Sequence, residues 1–339
     1  MSKPMRGKTF EPREVLFSPL AACNLRCRHC SVEPGPRRLP IAPALRFLDS
    51  CRGTTIERVG FTGGEPFLYP AFLEAVSART VRSGLYFDRL TTNAAWFKSR
   101  GELVAALTRL RDKGYDGSFH VSLDAFHGSG TAKPALFIRT AAEIWNRPDI
   151  SGILFVRGAR DQETRSLLEA LATGLEARLV RRYGRLLIES ESLFVSASAV
   201  DLVPLGRAAG LSDPWRGEWF KEDFCLGPGH VLYVLPDGSV KPCCGYATDA
   251  DLLTIGNIRR DSATRLIAEA RRRPYIRTVF ERGLTDIRRR LAGHGVVFPG
   301  RTANHCFFCH HVLTAVPRPL LEACLDEGTG GCRAGELTR

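Results

Sequence analysis

From Glu14 to about Arg207, short apolar runs alternate with amphipathic stretches, and this alternation constrains the fold more than any other feature of the chain. Strand-like runs occupy Glu14–Ser18, Arg58–Thr62, Tyr86–Thr91, Gly117–Ser122, Gly152–Val156 and Leu186–Ser190. Helix-like stretches occupy Ala42–Cys51, Pro70–Ser83, Arg100–Lys113, Pro134–Asn146 and Gln162–Leu171. A strand followed by a helix reaches a parallel neighbour through a crossover, and such crossovers are right-handed. The expected fold is α/β with about six βα units, too few to close an eight-stranded barrel.

The first strand runs straight into Cys23-Asn24-Leu25-Arg26-Cys27-Arg28-His29-Cys30. These spacings place three thiolates on one short loop, able to hold three irons of a [4Fe–4S] cube and leave the fourth iron open for chemistry. The loop sits at a strand's C-terminal end, where α/β sheets place their active sites. A structural zinc knuckle is the alternative, but zinc sites favour Cys-x2-Cys pairs with a fourth ligand close by, and none follows here.

The second strand closes on Phe61-Thr62-Gly63-Gly64-Glu65-Pro66. The two glycines leave backbone polar groups bare to a ligand, and Glu65 adds an anionic acceptor. Polar residues stand at later strand ends: Asn93 after the third, Ser122 and Asp124 at the fourth, Arg157 after the fifth. Singly, each could be a capping or strand-end residue.

CxxxCxxC followed by Gly-Gly-Glu-Pro resembles the radical SAM superfamily, with His29 in the place that usually holds an aromatic residue. The resemblance implies a partial (β/α)6 TIM-like barrel. In it Cys23, Cys27 and Cys30 hold a [4Fe–4S] cluster, and Gly63, Gly64, Glu65 and Pro66 bind the amino group of S-adenosyl-L-methionine. It further implies that Ser122 and Arg157 contact the methionine carboxylate or ribose, with Asn93 near the sulfonium or substrate. The chemistry would be hydrogen abstraction by a 5′-deoxyadenosyl radical. Asp124 and His127 are candidate substrate contacts, a buried structural hydrogen bond being the plainer role for His127.

A second cysteine set comprises Cys225, Cys243, Cys244, Cys306 and Cys309. Its pattern resembles the SPASM/twitch extension of radical SAM enzymes, and the nearest likeness is to radical SAM peptide epimerases. Because the closely spaced cysteines that complete a full SPASM pattern are missing after Cys309, one auxiliary [4Fe–4S] cluster on Cys225, Cys243, Cys306 and Cys309 is expected, with four-thiolate zinc as the alternative. Side chains of adjacent residues in an extended segment point opposite ways, which leaves Cys244 spare. It could be a hydrogen-atom donor in an epimerisation, a small buried hydrophobe, or the true ligand in place of Cys243.

Val231–Leu235 and Val240–Pro242 read as a hairpin turned by Asp237-Gly238, Arg259–Arg272 as a helix, and Asp201–Pro214 as a linker. The domains expected are a barrel over 1–207, a twitch/SPASM-like domain over 208–322 and a loose tail over 323–339. Cys23 lies so near the start that no leader-binding domain is expected ahead of the barrel.

Eleven cysteines in a leaderless chain of 339 residues suggest metal or catalysis rather than disulfides, and with no apolar run able to span a bilayer a cytoplasmic location is expected. Twelve arginines against four acids between Arg259 and Arg301 could form an anion-attracting face or a solvated helix surface. No nucleic-acid motif accompanies them, so neither nucleic acid nor membrane is an expected partner. The expected function is that of a radical SAM enzyme acting on a peptide or small natural product, served by an electron donor such as flavodoxin or ferredoxin. Epimerisation comes first, oxidative modification (dehydrogenation, thioether or C–C cross-linking) second, and a non-enzymatic zinc module third.

Overall fold

The computed structural model describes residues 9–158, 160–221, 225 and 229–326. Five parallel strands, β1 (Glu14–Phe17), β2 (Arg58–Phe61), β3 (Tyr86–Thr92), β4 (Ser118–Ser122) and β5 (Ser151–Arg157), lie side by side in chain order. They are separated in sequence by α1 (Ile41–Asp49), α2 (Pro70–Arg82), α3 (Arg100–Asp112) and α4 (Ala132–Trp145), and α5 (Asp161–Gly174) follows β5. Helix starts are set locally: at α3 the Ser99 hydroxyl accepts from Glu102 N–H at 3.2 Å, while the Glu102 carboxylate accepts from Lys98 N–H at 2.7 Å.

The sixth parallel strand differs from expectation. Leu186–Ser190 is not parallel to β5; it largely forms β7 (Arg185–Glu189), the middle of an antiparallel meander between β6 (Arg178–Arg182) and β8 (Phe194–Asp201). The parallel place beside β5 belongs to β8. The cause is the turn Tyr183-Gly184, whose φ values of 49° and 75° fold the chain back at once. Arginines in β6 and serines in β8 hide two strands that an apolar-run criterion passes over.

Beyond β8, β9 (Gly229–Val234) and β10 (Ser239–Cys243) form the expected hairpin, with Gly238 at φ 84° and the Asp237 carboxylate accepting from Ser239 N–H. β9 lies parallel against β1, and β11 (Gly256–Asn257) completes one eleven-stranded sheet that crosses the expected boundary at residue 207. Five helices follow: α6 (Ala263–Arg272), α7 (Pro274–Glu281), α8 (Leu284–Gly293), α9 (His305–Ala315) and α10 (Arg318–Asp326). The expected loose tail is corrected in part, since α10 runs past residue 323 and buries Cys324; residues 327–339 lie outside those described.

One face of the central strands packs under the helices. Val15, Phe17, Val59, Phe61, Phe119 and Ile153 are buried with Phe47, Phe72, Leu107 and Phe137. Phe119 stacks edge-on against both Phe137 and Trp145, so Phe119→Ala should cost about 3–5 kcal/mol. The opposite, inner face is separate: Leu16 packs with Val231, Tyr233, Leu235 and Cys244. The arginine-rich run is largely consumed within the fold. Asp261, Glu269 and Asp286 between them pair seven of its arginines, Arg271 caps the Phe10 carbonyl, and Arg288 lies over Trp219.

Candidate active site

The cysteine loop leaves β1 and is pinned from two sides. From one side, Gly64 N–H and Glu65 N–H donate to the Leu20 and Ala22 carbonyls at 3.0 and 2.9 Å. A Cβ on Gly64 would stand 2.0 Å from the Ala22 oxygen, and one on Gly63, at φ 120°, would stand 2.5 Å from Ser18 Oγ. The glycines are therefore required first by this backbone-on-backbone contact. From the other side, the expected linker docks on the loop: Arg207 N–H donates to the Cys30 carbonyl at 3.2 Å, and its Nε donates to the Cys27 carbonyl at 3.0 Å. Gly206, at φ 57°, lies against Ser31.

Cys23, Cys27 and Cys30 converge in this loop and stay partly exposed. Burial pushes the Cys27 thiol up to about 12, and the neighbouring Cys30 and Cys23 push the same way. Cys23 is likewise raised by burial, against the pull of Leu25 N–H and of Asn93 Nδ2 at 3.6 Å. Cys23 and Cys27 thus resist ionisation until a cation joins them, which is the donor chemistry of a metal-binding loop.

The other expected ligand contacts divide. Asn93 is brought to the loop, where its Nδ2 also donates to Asn24 Oδ1 at 2.8 Å. Glu65 is fully buried, and its carboxylate accepts from Phe67 N–H, Thr92 Oγ1 and Asn93 N–H, so it braces the second and third strand ends instead of presenting a free acceptor. Burial holds its carboxyl up at about 7 despite those bonds. Pro66 opens the buried turn behind it. Ser122 stands half-buried at the end of β4. Arg157 is exposed and gives two bonds to Asp201 at the end of β8, a commitment the sequence does not reveal.

Asp124 is 1% exposed; its Oδ2 accepts from Val156 N–H at 3.0 Å, and its Oδ1 accepts from Phe126 N–H and lies 2.8 Å from His127 Nδ1. The His127 pair leads the influences that hold the Asp124 carboxyl below its ordinary range, against burial. An ionised Asp124 can only accept, so it places the proton on His127 Nδ1 and leaves Nε2 as the outward nitrogen. His29 of the cysteine loop packs edge-on against His127, with ring centroids 4.8 Å apart, and tilted against Phe126. His127 is thus delivered to the cysteine loop, while Asp124 orients it from behind.

The second cysteine set gathers around the β9–β10 hairpin. Cys225 is buried, and Cys243, Cys306 and Cys309 each disfavour its ionised form after burial itself. Cys306 and Cys309 share the first turn of α9, three positions apart on one face, with Asn304 capping Phe307 N–H. Tyr275 O–H lies 3.1 Å from Cys309 Sγ, and burial pushes that thiol up to about 12. Cys244 does turn the other way: Cys243 packs with the main core, Cys244 with Leu16, Val231 and Tyr233. Burial raises the Cys244 thiol to about 11, Arg89 pulling down and Glu14 pushing up.

Two tyrosines that sequence reasoning missed span the inner face. The Tyr233 and Tyr246 hydroxyls each feel both Cys30 and Cys244, and burial raises both to about 12, keeping them neutral. The loop bearing Tyr246 is held by the buried Lys241, whose Nζ donates to the Ala250 carbonyl and Thr254 Oγ1. Period-two alternation along β9 could have found Tyr233; nothing local signals Tyr246 or Arg207.

A three-thiol loop at the mouth of a partial parallel barrel, with a separate four-thiol group drawn from Cys225, the end of β10 and the start of α9, defines a protein with two thiol-rich metal-binding sets. Residues 17–144 match the radical SAM superfamily and residues 225–288 match the SPASM iron–sulfur cluster-binding domain. The chain carries a radical SAM domain followed by a SPASM domain, an enzyme class, which sets the zinc-module reading aside. A GTP 3′,8-cyclase of Chlorobaculum tepidum is 31% identical over 113 residues, 32% of each chain. One of Listeria welshimeri is 27% identical over 164 residues, 43% of this chain and 46% of that one. The chain thus spans about a third to a half of the curated relatives it matches. Among solved structures, native anSMEcpe with bound AdoMet and Cp18Cys peptide aligns over 81% of this chain and 85% of that one, with a TM-score of 0.52 and 15% identity. Streptococcus suis SuiB aligns over 80% and 66%, with a TM-score of 0.50 and 14% identity. These two likenesses establish the fold.

A radical SAM domain implies a [4Fe–4S] cluster and S-adenosylmethionine, and a SPASM domain implies auxiliary iron–sulfur clusters. The converging thiols of both sets fit such groups. No helix among the described residues is long and apolar enough to cross a membrane.

Proposed function

We propose that this protein is a radical SAM epimerase acting on a peptide or small natural-product substrate, with Cys244 as the hydrogen donor. The observation that carries the reading is the division of Cys243 from Cys244: one thiol joins Cys225, Cys306 and Cys309, and its neighbour faces the inner side of the barrel with Tyr233. Cys23, Cys27 and Cys30 would hold one cluster, and Cys225, Cys243, Cys306 and Cys309 one auxiliary cluster, dividing the work between 1–207 and 208–322. When bound, the first cluster and S-adenosylmethionine supply abstraction of a substrate hydrogen as 5′-deoxyadenosine. Gly63, Gly64, Pro66, Asn93, Ser122 and Arg157 line the strand ends proposed to seat the cofactor. Asp124 keeps the proton on His127 Nδ1, so His127 Nε2 can accept from a substrate donor.

Cys244 then gives its S–H hydrogen to the opposite face of the carbon. The sulfur regains one electron and one proton from a reduced carrier of the flavodoxin or ferredoxin type, in the reducing cytoplasm that eleven thiols suit. Peptides are favoured as substrates because anSMEcpe, which shares the fold, was solved with a peptide bound.

Turnover in deuterated water tests the reading. The thiol proton exchanges with solvent, so the product should gain one deuterium at the altered carbon, and Cys244→Ala should still release 5′-deoxyadenosine yet make no epimer. Loss of auxiliary iron in Cys244→Ala would make Cys244 a ligand. A product lighter than substrate by two hydrogens would move the protein to the oxidative class, which the adjacency of Cys243 and Cys244 also permits.

A further inference from the structure

One end of the eleven-stranded sheet is β6, which among the described residues hydrogen-bonds to β7 alone and leaves its other edge open; the opposite end, β11, is two residues long. The open edge is basic. Arg178, Arg181 and Arg182 lie on β6 and Arg185 begins β7, all exposed, with the fully exposed Tyr183 at the turn. Arg182 pairs with Glu189 at 2.7 Å, and the neighbouring Arg157, Arg165 and Arg139 are matched to Asp201, Glu169 and Glu176. Arg178, Arg181 and Arg185 have no acidic partner among the described residues.

Two depressions meet at this edge, and both are lined by Arg181 and Leu186. One, of about 480 Å³, runs between α5 and β6 over Ala172 and Leu179; the other, of about 640 Å³, reaches Arg157 and Ala197. Charged residues on an edge strand can serve simply to repel a second copy. That role needs no hollows beside the strand, nor the partly exposed Leu179 and Val180 that line the first or the Leu186 that lines both.

We propose that the β6 edge binds an extended acidic peptide segment as an added strand. Its backbone would pair with β6, its carboxylates would meet Arg178 and Arg185 on one face of the sheet, and its alternate apolar side chains would enter the two depressions beside Arg181 and Leu186 on the other. Backbone pairing supplies affinity in this mode of recognition, and the side-chain hollows supply selectivity. The site is independent of the chemistry at Cys244.

The test uses the anaerobically reconstituted full chain and a fluorescein-labelled, capped peptide of alternating Glu and Val, followed by fluorescence anisotropy without S-adenosylmethionine. Binding should weaken with salt and fall at least about tenfold in Arg178→Glu/Arg185→Glu, while Arg178→Lys/Arg185→Lys keeps it and shows that the fold is intact. A Lys-Val peptide should not bind. Methylating alternate backbone amides of the Glu-Val peptide should also weaken binding at least about tenfold, because strand pairing is then blocked. Equal binding by the methylated peptide, an unaffected glutamate variant, or tighter binding by oligothymidylate would each overturn the proposal. Cys244→Ala should bind the probe like the native chain, so failure of the epimerase reading and failure of this one are separately visible.

Discussion

Arg207 donates its Nε–H to the carbonyl of Cys27 at 3.0 Å across 180 residues of sequence. The residue that follows the last strand of the barrel thereby fastens the loop that follows the first. With Arg207→Ala that bond, worth about 1 kcal/mol, is lost, and the loop is released on one side. Iron should then leave the three-cysteine site to a chelator severalfold faster while the four-cysteine site is unchanged, as followed by absorbance decay in two backgrounds, each with one of the two cysteine sets replaced by alanine. Equal rates at the first site would show that the clamp does not matter.

Cluster count can be read directly. Reconstituted protein should hold about eight irons, and Cys23→Ala/Cys27→Ala/Cys30→Ala about four. Iron and sulfide analysis decides it; saturation of the native chain at four would remove the auxiliary cluster.

Gly64 permits almost nothing larger than hydrogen. Its missing Cβ would fall 2.0 Å from a backbone oxygen, where no side chain can yield. Gly64→Val should lower stability by about 3 kcal/mol or more and suppress 5′-deoxyadenosine release. Thermal melts and product chromatography would show both, whereas Gly53→Ala, in open space but at φ 74°, should cost only a modest backbone strain.

Glu14 should make the fold lose stability as pH rises. It is 5% exposed, and burial together with Asp88 pushes its carboxyl up to about 7, against the pull of Arg89 and Arg58. Between its ordinary value of 4.5 and about 7 the unfolded chain gives up the proton first, so stability is full below 4.5 and falls through about 7. Glu14→Gln should flatten that part of the pH–stability curve. Urea unfolding at a series of pH values measures it; an unchanged slope in the variant would assign the effect elsewhere.

Much of this arrangement was legible in the residues themselves. β1 to β5, the Asp237-Gly238 hairpin and both cysteine sets are signalled by local patterns: apolar runs, turn residues and thiol spacing. What escaped was set by distance or by polarity. Leu186–Ser190 has the composition of a core strand, yet its direction is decided by the two residues before it, and β8 alternates serine with small apolar residues that carry little signal. The seating of Arg207 on the cysteine loop, the packing of His29 on His127, and the consumption of Glu65 by Thr92 and Asn93 depend on which strand ends become neighbours. Such contacts have no signature within a window of sequence.

The parallel pairing of β9 with β1 ties together residues more than two hundred positions apart, Glu14 with Val231 and Phe17 with Val234. Contacts of that span form late in folding, because a long loop must close before they are rewarded. Until they form, β1 has an open edge beside the three-cysteine loop. A chain cut after residue 207 would keep that edge permanently and should pair with its own copies rather than stay monomeric. The two cysteine sets therefore belong to one inseparable folding unit, and the synthesis of this protein has no safe stopping point between them.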